Sequence, residues 1–335
     1  MKKIRVAQIG IGHDHAPGVF ADMAAMTDVY DIVGWHIPEE ERTFTGKNMK
    51  GHDAPMLPYP HLSLEEILND SSIDAVVVET EERFLTKYAM LAIEHGKHVH
   101  MDKPGGFDIR EFDALVSAAE AKGLTFHLGY MYRYYPPVQD LIARAKAGEF
   151  GKVLSVEGQM NCWHAPEKRQ WVETLPGGNM YLLGCHMLDL VLQIMGEPQE
   201  VRCLNHVTER DGTKAVDYAM AMLEYPIGPS FIKSCDTERG GFGRRQLVLC
   251  CETCTVELKP MELLFDDDSV EAVTTVFKNG VKIPGASEKC KWYGRSEPMM
   301  RAFAQIVAGE RENDFSCDYE RMLYKTLLKC CGREE

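Results

Sequence analysis

At roughly 150 residues per domain, a chain of 335 residues suggests two domains, and its 45% hydrophobic and 26% charged content is that of an ordinary globular protein. The formal net charge of −14, with no Lys/Arg cluster, argues against nucleic acid and anionic membrane as partners. The basic start Met1-Lys2-Lys3 precedes an apolar run too short for a signal peptide, and no segment reaches the ~20 apolar residues of a membrane span. The eleven cysteines therefore read as reduced thiols of a cytoplasmic protein.

The elements follow in chain order. An apolar strand over 4–9 ends in Gly10, and a helix over 16–26 follows it. A second strand covers 30–35, and Ser63 caps a short helix over 64–69. The unbroken apolar run Ala75-Val76-Val77-Val78 predicts a parallel strand buried on both faces. A helix over 86–94 closes on Gly96, a strand covers 98–101, and Phe112, Leu115, Val116 and Ala119 recur at helical spacing before a strand over 124–128. This alternation predicts a parallel sheet with helices on both faces, a Rossmann-type dinucleotide-binding domain over residues 1–129.

After Gly129 the rhythm changes. A long strand over 151–162 is expected, then a helix from the Gly177-Gly178 pair to Met195, stopped by Gly196 and Pro198. Extended stretches over 200–207, 216–225, 230–237, 244–251 and 255–258 follow without intervening helices, which predicts an open, mostly antiparallel sheet. Helices over 297–308 and 319–331 close a second domain, 130–335. The fold class is thus an α/β Rossmann domain followed by an α+β domain.

Three motifs carry chemistry. Gly10-Ile11-Gly12-His13-Asp14-His15 joins a strand to a helix, where glycines let the backbone approach a pyrophosphate seated on the helix N-terminus. The position expected to hold a ribose-binding acid carries His36, with Glu39 and Glu40 just beyond. Asp102-Lys103-Pro104 lies at the end of a strand, where open parallel sheets bind their ligands. His186 and Asp189 stand three apart and so share a helix face, and Asp189 can orient the imidazole. The tightest cysteine group, Cys250-Cys251-x-x-Cys254, has no second ligand pair at finger or ribbon spacing, and no metal site is expected.

In this order and spacing the motifs resemble the glucose–fructose oxidoreductase / inositol dehydrogenase / rhizopine catabolism (Gfo/Idh/MocA) family over nearly the whole chain. Asp102-Lys103-Pro104 is similar to its Glu-Lys-Pro motif, 148–153 to the turn that opens its second domain, and Gly184-x-His186-x-x-Asp189 to its active-site helix. The resemblance implies hydride transfer between NAD, or NADP, and a secondary alcohol of a sugar, a cyclitol or a related small molecule. It implies Lys103 near the reacting hydroxyl, and His186 as proton carrier with Asp189 beside it. It also implies a cofactor site formed by Gly10, Gly12, His13, His15, His36, Thr80, Asp102 and Lys103. Arg133 matches an arginine common after the last Rossmann strand, and Trp163, His164, Arg169 and Trp171 are further expected substrate contacts. A homodimer or homotetramer through the second-domain sheet is implied as well. The chain departs from the pattern at His15, at His36, at Thr80-Glu81-Glu82 where Thr-Pro-Asn is usual, and at Leu182 where many members have Asp. These departures keep two other readings open: glycoside cleavage or elimination through a transient keto intermediate, and a dinucleotide-binding sensor without turnover.

Overall fold

Every side chain of Ala75–Val78 is buried, as a strand covered on both faces requires. This strand is the centre of a five-stranded parallel sheet in the computed structural model, which describes residues 3–267, 269–291 and 294–333. Its strands are β1 (Ile4–Ile9), β2 (Tyr30–His36), β3 (Ala75–Val78), β4 (His98–Met101) and β5 (Phe126–Leu128), in the order β2-β1-β3-β4-β5. The connecting helices are α1 (Ala16–Ala25), α2 (Glu39–Thr43), α3 (Leu64–Asn69), α4 (Leu85–Glu94) and α5 (Ile109–Lys122). Ser63 caps α3 in a reciprocal box: its hydroxyl accepts the Glu66 N–H at 3.1 Å and its own N–H donates to the Glu66 carboxylate at 2.7 Å. The strand order reverses between β1 and β3, so the turns after those strands and after β4 share one edge of the sheet, the place where such folds take ligands.

The chain divides into two compact units, Met1–Met131 with Tyr293–Tyr324, and Tyr132–Trp292 with Lys325–Glu335. The late helix Glu297–Val307 therefore belongs with the parallel sheet, although it follows the second unit in sequence. It is held there by Tyr30, whose hydroxyl donates to the Met300 carbonyl at 2.5 Å, and by Asp22, which accepts the Ser296 N–H at 3.0 Å.

The second unit begins with α6 (Pro136–Lys146), β6 (Val153–Asn161), α7 (Pro166–Val172) and α8 (Cys185–Met195). Then come β7 (Glu200–His206), β8 (Tyr218–Tyr225), β9 (Gly228–Cys235), β10 (Gln246–Cys251), β11 (Thr255–Leu258), β12 (Leu263–Leu264), β13 (Ser269–Lys278) and β14 (Val281–Lys291). They form a nine-stranded sheet in the order β12-β13-β11-β10-β6-β9-β8-β7, with β14 on β13. Its pairs are antiparallel except β6 with β9, which makes it the open, mostly antiparallel sheet expected. The β13–β14 hairpin, absent from the sequence expectation, turns on Asn279 and Gly280. Both have positive φ (51° and 74°), as a two-residue hairpin turn that follows the strand twist demands. Helix α8 lies against β6 because Gly158 leaves room: a Cβ there would stand 3.1 Å from Met187 Cβ.

Candidate functional site

The turn after β1 is an anion seat. Gly10 has φ +95°, and a Cβ on it would come within 2.5 Å of the Thr80 backbone nitrogen. A Cβ on Gly12 would meet the Glu41 carboxylate at 2.2 Å and the Glu81 nitrogen at 2.5 Å. Only glycine allows so close an approach. The seat is taken by a side chain of this same unit: Ile11 N–H, Gly12 N–H and Glu81 N–H donate to the Glu41 carboxylate at 2.9, 3.1 and 2.5 Å. Burial raises the Glu41 carboxyl to about 7, against the lowering effect of the three backbone donors. The same converging amides suit phosphate oxygens, for which this carboxylate stands in. The residues thus fit a dinucleotide pyrophosphate, provided Glu41 leaves.

Around the seat, His13 is fully buried and Thr80 presses on Gly10. Burial lowers the His13 pKa to about 3, so its ring is neutral at physiological pH. Asp102 accepts the Lys103 N–H at 2.7 Å and faces both His13 and His15. Its carboxyl is held well below the usual range: burial pushes it up, and the two histidines pull it down further. Lys103 is 1% exposed and precedes a cis peptide to Pro104. Glu82 pairs with Lys47 at 3.3 Å, and Lys47 also reaches Asp14 at 3.2 Å. His36 stands apart from this group, donating from Nδ1 to the Leu62 carbonyl at 2.8 Å, which ties down the segment before α3. Sequence reading missed Glu41, Lys47 and Glu79, and it marks Glu82 only as part of the departure at Thr80-Glu81-Glu82. The run Glu39–Glu41 was visible as an acidic stretch, but nothing local showed that its third member turns inward.

In the second unit, α8 opens with a wide π-type turn over Met180–Gly184, a distortion common at functional sites. Its close packing places Gly184 where a Cβ would lie 3.3 Å from Ser234 Cβ. His186 follows at 3% exposure, its ring edge-on to Tyr132 with centroids 5.0 Å apart. Tyr132 is fixed in turn, donating to Glu262 at 2.5 Å and accepting from Arg245 at 2.9 Å. Asp189 was expected to orient His186. Instead its carboxylate takes Arg133 in a fork, at 3.0 Å from Nε and 2.8 Å from Nη2, and accepts Gln193 at 2.9 Å. Both members of the pair are 1% exposed, so Arg133 meets its own counter-ion here in place of a substrate.

Arg169 and Trp171, expected as substrate contacts, are interior residues at 0% and 1% exposure. The Arg169 guanidinium pairs with Asp217 at 2.6 Å, with Asp236 and with Asp211 at 3.3 Å, and Lys168 lies over the Trp171 ring at 4.0 Å. A guanidinium whose donors face internal carboxylates has little left for a sugar. Trp163 is different: it is 40% exposed, with Arg210 and Arg239 over its ring at 5.4 and 4.9 Å. His164 lies beside it, with Nδ1 at 3.6 Å from Asp236.

Residues 4–130 match the oxidoreductase family with an NAD-binding Rossmann fold, and residues 138–257 match the GFO/IDH/MocA C-terminal domain. The scyllo-inositol 2-dehydrogenase (NADP(+)) IolW of Bacillus subtilis (strain 168) is 29% identical over 164 residues, 48% of this chain and 46% of that protein. A D-xylose 1-dehydrogenase (NADP(+)) of Haloferax volcanii is 28% identical over 176 residues, 51% of this chain and 53% of that one. The chain thus spans about half the length of the curated relatives it matches. The solved structure of UDP-N-acetylglucosamine 3-dehydrogenase GnnA from Acidithiobacillus ferrooxidans superposes with a TM-score of 0.77 at 20% identity, covering 98% of this chain and 97% of that one, which shows a shared fold. With the glycine turn, the parallel sheet, the mixed sheet and both domain matches in agreement, the chain belongs to the Gfo/Idh/MocA family of oxidoreductases with an NAD-binding Rossmann fold.

Proposed function

We propose that the protein is an NAD(P)-dependent dehydrogenase that oxidises a secondary alcohol of a sugar, a cyclitol or a related small molecule. The observation that carries this reading is the glycine turn, whose amides grip a carboxylate at the place where this reading seats a pyrophosphate. A bound nicotinamide dinucleotide supplies the hydride acceptor. Lys103, at the end of β4, stabilises negative charge on the substrate oxygen, and His186 takes the hydroxyl proton. Asp189 acts through Arg133, holding the entry to α6 against α8. Of the expected substrate contacts, Trp163 and His164 retain that role, with Trp163 offering an aromatic face to sugar C–H groups. The test is reduction of NAD+ or NADP+, followed at 340 nm, over a panel of sugars and cyclitols. Turnover with any of them supports the reading. Glycoside breakdown or elimination without net NADH, or dinucleotide binding with no reaction across the panel, contradicts it.

NAD is the proposed preference. Arg42, the nearest cation after β2, donates from Nε to the Ile37 carbonyl at 3.2 Å and faces His61, while Glu39 is exposed beside it. Like charge disfavours a 2′-phosphate there, so tighter binding of NADPH than NADH would reverse this assignment.

Glu41 makes the affinity depend on pH. Its carboxyl titrates at about 7 in the folded chain, so below that pH it is neutral and competes weakly for the amides, and above it the carboxylate holds the seat. NADH should bind more tightly as pH falls from 8 to 6. Glu41→Ala should bind about tenfold more tightly than wild type at pH 8, the scale of one charged hydrogen bond, and should lose most of the pH dependence. Calorimetric titration of both proteins across that range checks this, and equal affinities at pH 8 would show that Glu41 does not compete.

We also infer a homodimer or homotetramer through the second sheet. Leu204, Tyr218 and Met222 are 56%, 37% and 44% exposed and share one face of the β7–β8 ladder, where Leu204 lies opposite Met220 and His206 opposite Tyr218. Exposed apolar side chains gathered on one face favour a covering partner; a monomer in sedimentation equilibrium at micromolar concentration would remove this inference. A cytoplasmic location is inferred from eleven free cysteines, and recovery of the protein from an oxidising compartment would oppose it. No helix among the described residues is long and apolar enough to cross a membrane.

A further inference from the structure

The turn after β1 carries two histidines two residues apart, and the end of β4 brings Asp102 up to both. His15 Nδ1 lies 3.0 and 3.3 Å from the two Asp102 oxygens, and His13 Nδ1 lies 3.1 Å from Oδ2. One ligand atom from each of the three residues sits within 4.8 Å of the others. Zinc bonds of about 2.0–2.2 Å in tetrahedral array put neighbouring ligand atoms roughly 3.3 Å apart, so the spacing needs little rearrangement.

The pattern of donors around His13 asks for a cation. Its Nδ1 accepts the backbone N–H of His15 at 3.2 Å, so that nitrogen carries no proton. An Asp102 oxygen lies 3.1 Å from the same nitrogen, so an ion seated there would take the single Nδ1 lone pair in exchange for the 3.2 Å contact with the His15 N–H and would neutralise the carboxylate. The far ring nitrogen, Nε2, lies 3.5 Å from Glu82 Oε1 without a hydrogen bond. A small approach of that carboxylate would give the hydrogen bond that sets the tautomer of a metal-bound imidazole. Glu79 adds to the demand. It is fully buried, its Oε2 is 3.7 Å from His13 Nδ1, and neither of its carboxyl oxygens has a hydrogen-bond partner among the described residues.

We propose that His13, His15 and Asp102 form a binding site for a divalent transition-metal ion of the zinc type, with Glu79 poised as a fourth ligand. Two imidazoles and carboxylates suit zinc, manganese or ferrous iron rather than calcium or magnesium. The His15 side chain is 25% exposed, which gives the ion a way in. Until Glu79 closes on the ion, the three ligands His13, His15 and Asp102 leave a coordination position for a water, substrate or phosphate oxygen. His13, His15 and Asp102 also border the turn that the dinucleotide reading assigns to the cofactor, so the metal is tested without nucleotide.

The test titrates metal-stripped protein, without nucleotide, with zinc chloride by calorimetry and with cobalt(II) by visible absorption. One ion per chain should bind, with a cobalt spectrum of nitrogen and oxygen ligation lacking a thiolate charge-transfer band. The melting temperature should rise with zinc, because an ion that binds only the native state stabilises it. His15→Ala should weaken zinc binding at least about a hundredfold. Asp102→Asn, which keeps the side-chain shape, should do the same while retaining the wild-type circular dichroism. Absence of binding at millimolar zinc, unchanged affinity in both variants, or a thiolate band that persists in them would overturn the proposal. NADH titration in the presence of EDTA reads the dinucleotide seat separately, so either result can fail alone.

Discussion

Replacing Lys103 by alanine should lower kcat at least about a hundredfold on any substrate the panel identifies, while NADH binding persists. The side chain is almost fully enclosed, at 1% exposure, beside the seat formed by the β1 turn. A fixed ammonium in a dry site meets charge that develops on oxygen without the cost of reorienting water, and loss of one such donor typically lowers kcat by ~10²–10³. Lys103 also lies near Glu79 and Glu82, whose carboxyls burial raises above their usual range and whose protons the lysine helps to release. Removing it therefore alters the local charge as well, so the comparison must include Lys103→Met, which keeps most of the stem. Stopped-flow and steady-state rates for both variants, with circular dichroism as a fold control, check the claim. His186→Ala should fall by a similar factor, within the ~10²–10⁴ of general acid–base groups, whereas Leu182→Ala should change kcat much less. Near-wild-type turnover by Lys103→Ala would remove the lysine from the chemistry, and the same result for His186→Ala would remove the base.

Arg169→Ala should be the most damaging substitution to stability. The guanidinium is the shared counter-ion of Asp217 and Asp236, both fully buried, and its Nη2 also donates to the Arg210 carbonyl at 3.1 Å and the Thr213 hydroxyl at 3.2 Å. Alanine leaves the carboxylates desolvated without their cation, which in buried pairs costs about 3–5 kcal/mol. Lysine should recover little, because one ammonium cannot span partners arranged for a planar fork. Urea denaturation of the three proteins measures this. A loss below about 1 kcal/mol, typical of exposed pairs, would mean that the carboxylates find other partners.

Much of the fold was legible because it is written locally. Apolar runs such as Ala75–Val78 need no distant partner to declare a buried strand, and Gly10, Gly12 and Ser63 mark backbone conformations that few residues satisfy. The β13–β14 hairpin was missed although Asn279-Gly280 announces it, because Pro284 and Gly285 interrupt the alternation of its second strand. The candidate site was legible in outline only. Long-range pairing decides what a charged side chain does, and no spacing rule tells that Asp189 takes Arg133, 56 residues back. Arg169 meets Asp217 from 48 residues away by the same kind of tertiary closure. Glu41 was hidden for a different reason: acidic residues at the start of a short surface helix are ordinary, and only the β3 loop folding over it makes the third one a buried occupant of the amide seat.

The amides of the β1 turn are proposed to hold a dinucleotide, and titration of the purified protein with NADH, followed by its fluorescence, is the measurement that decides it. Saturable binding is predicted, abolished in Gly12→Val, whose side chain would occupy the space now 2.2 Å from Glu41 and 2.5 Å from the Glu81 nitrogen. Failure of the wild-type protein to bind either NADH or NADPH at millimolar concentration, or binding by Gly12→Val as tight as that of wild type, would rule out the turn as a dinucleotide seat.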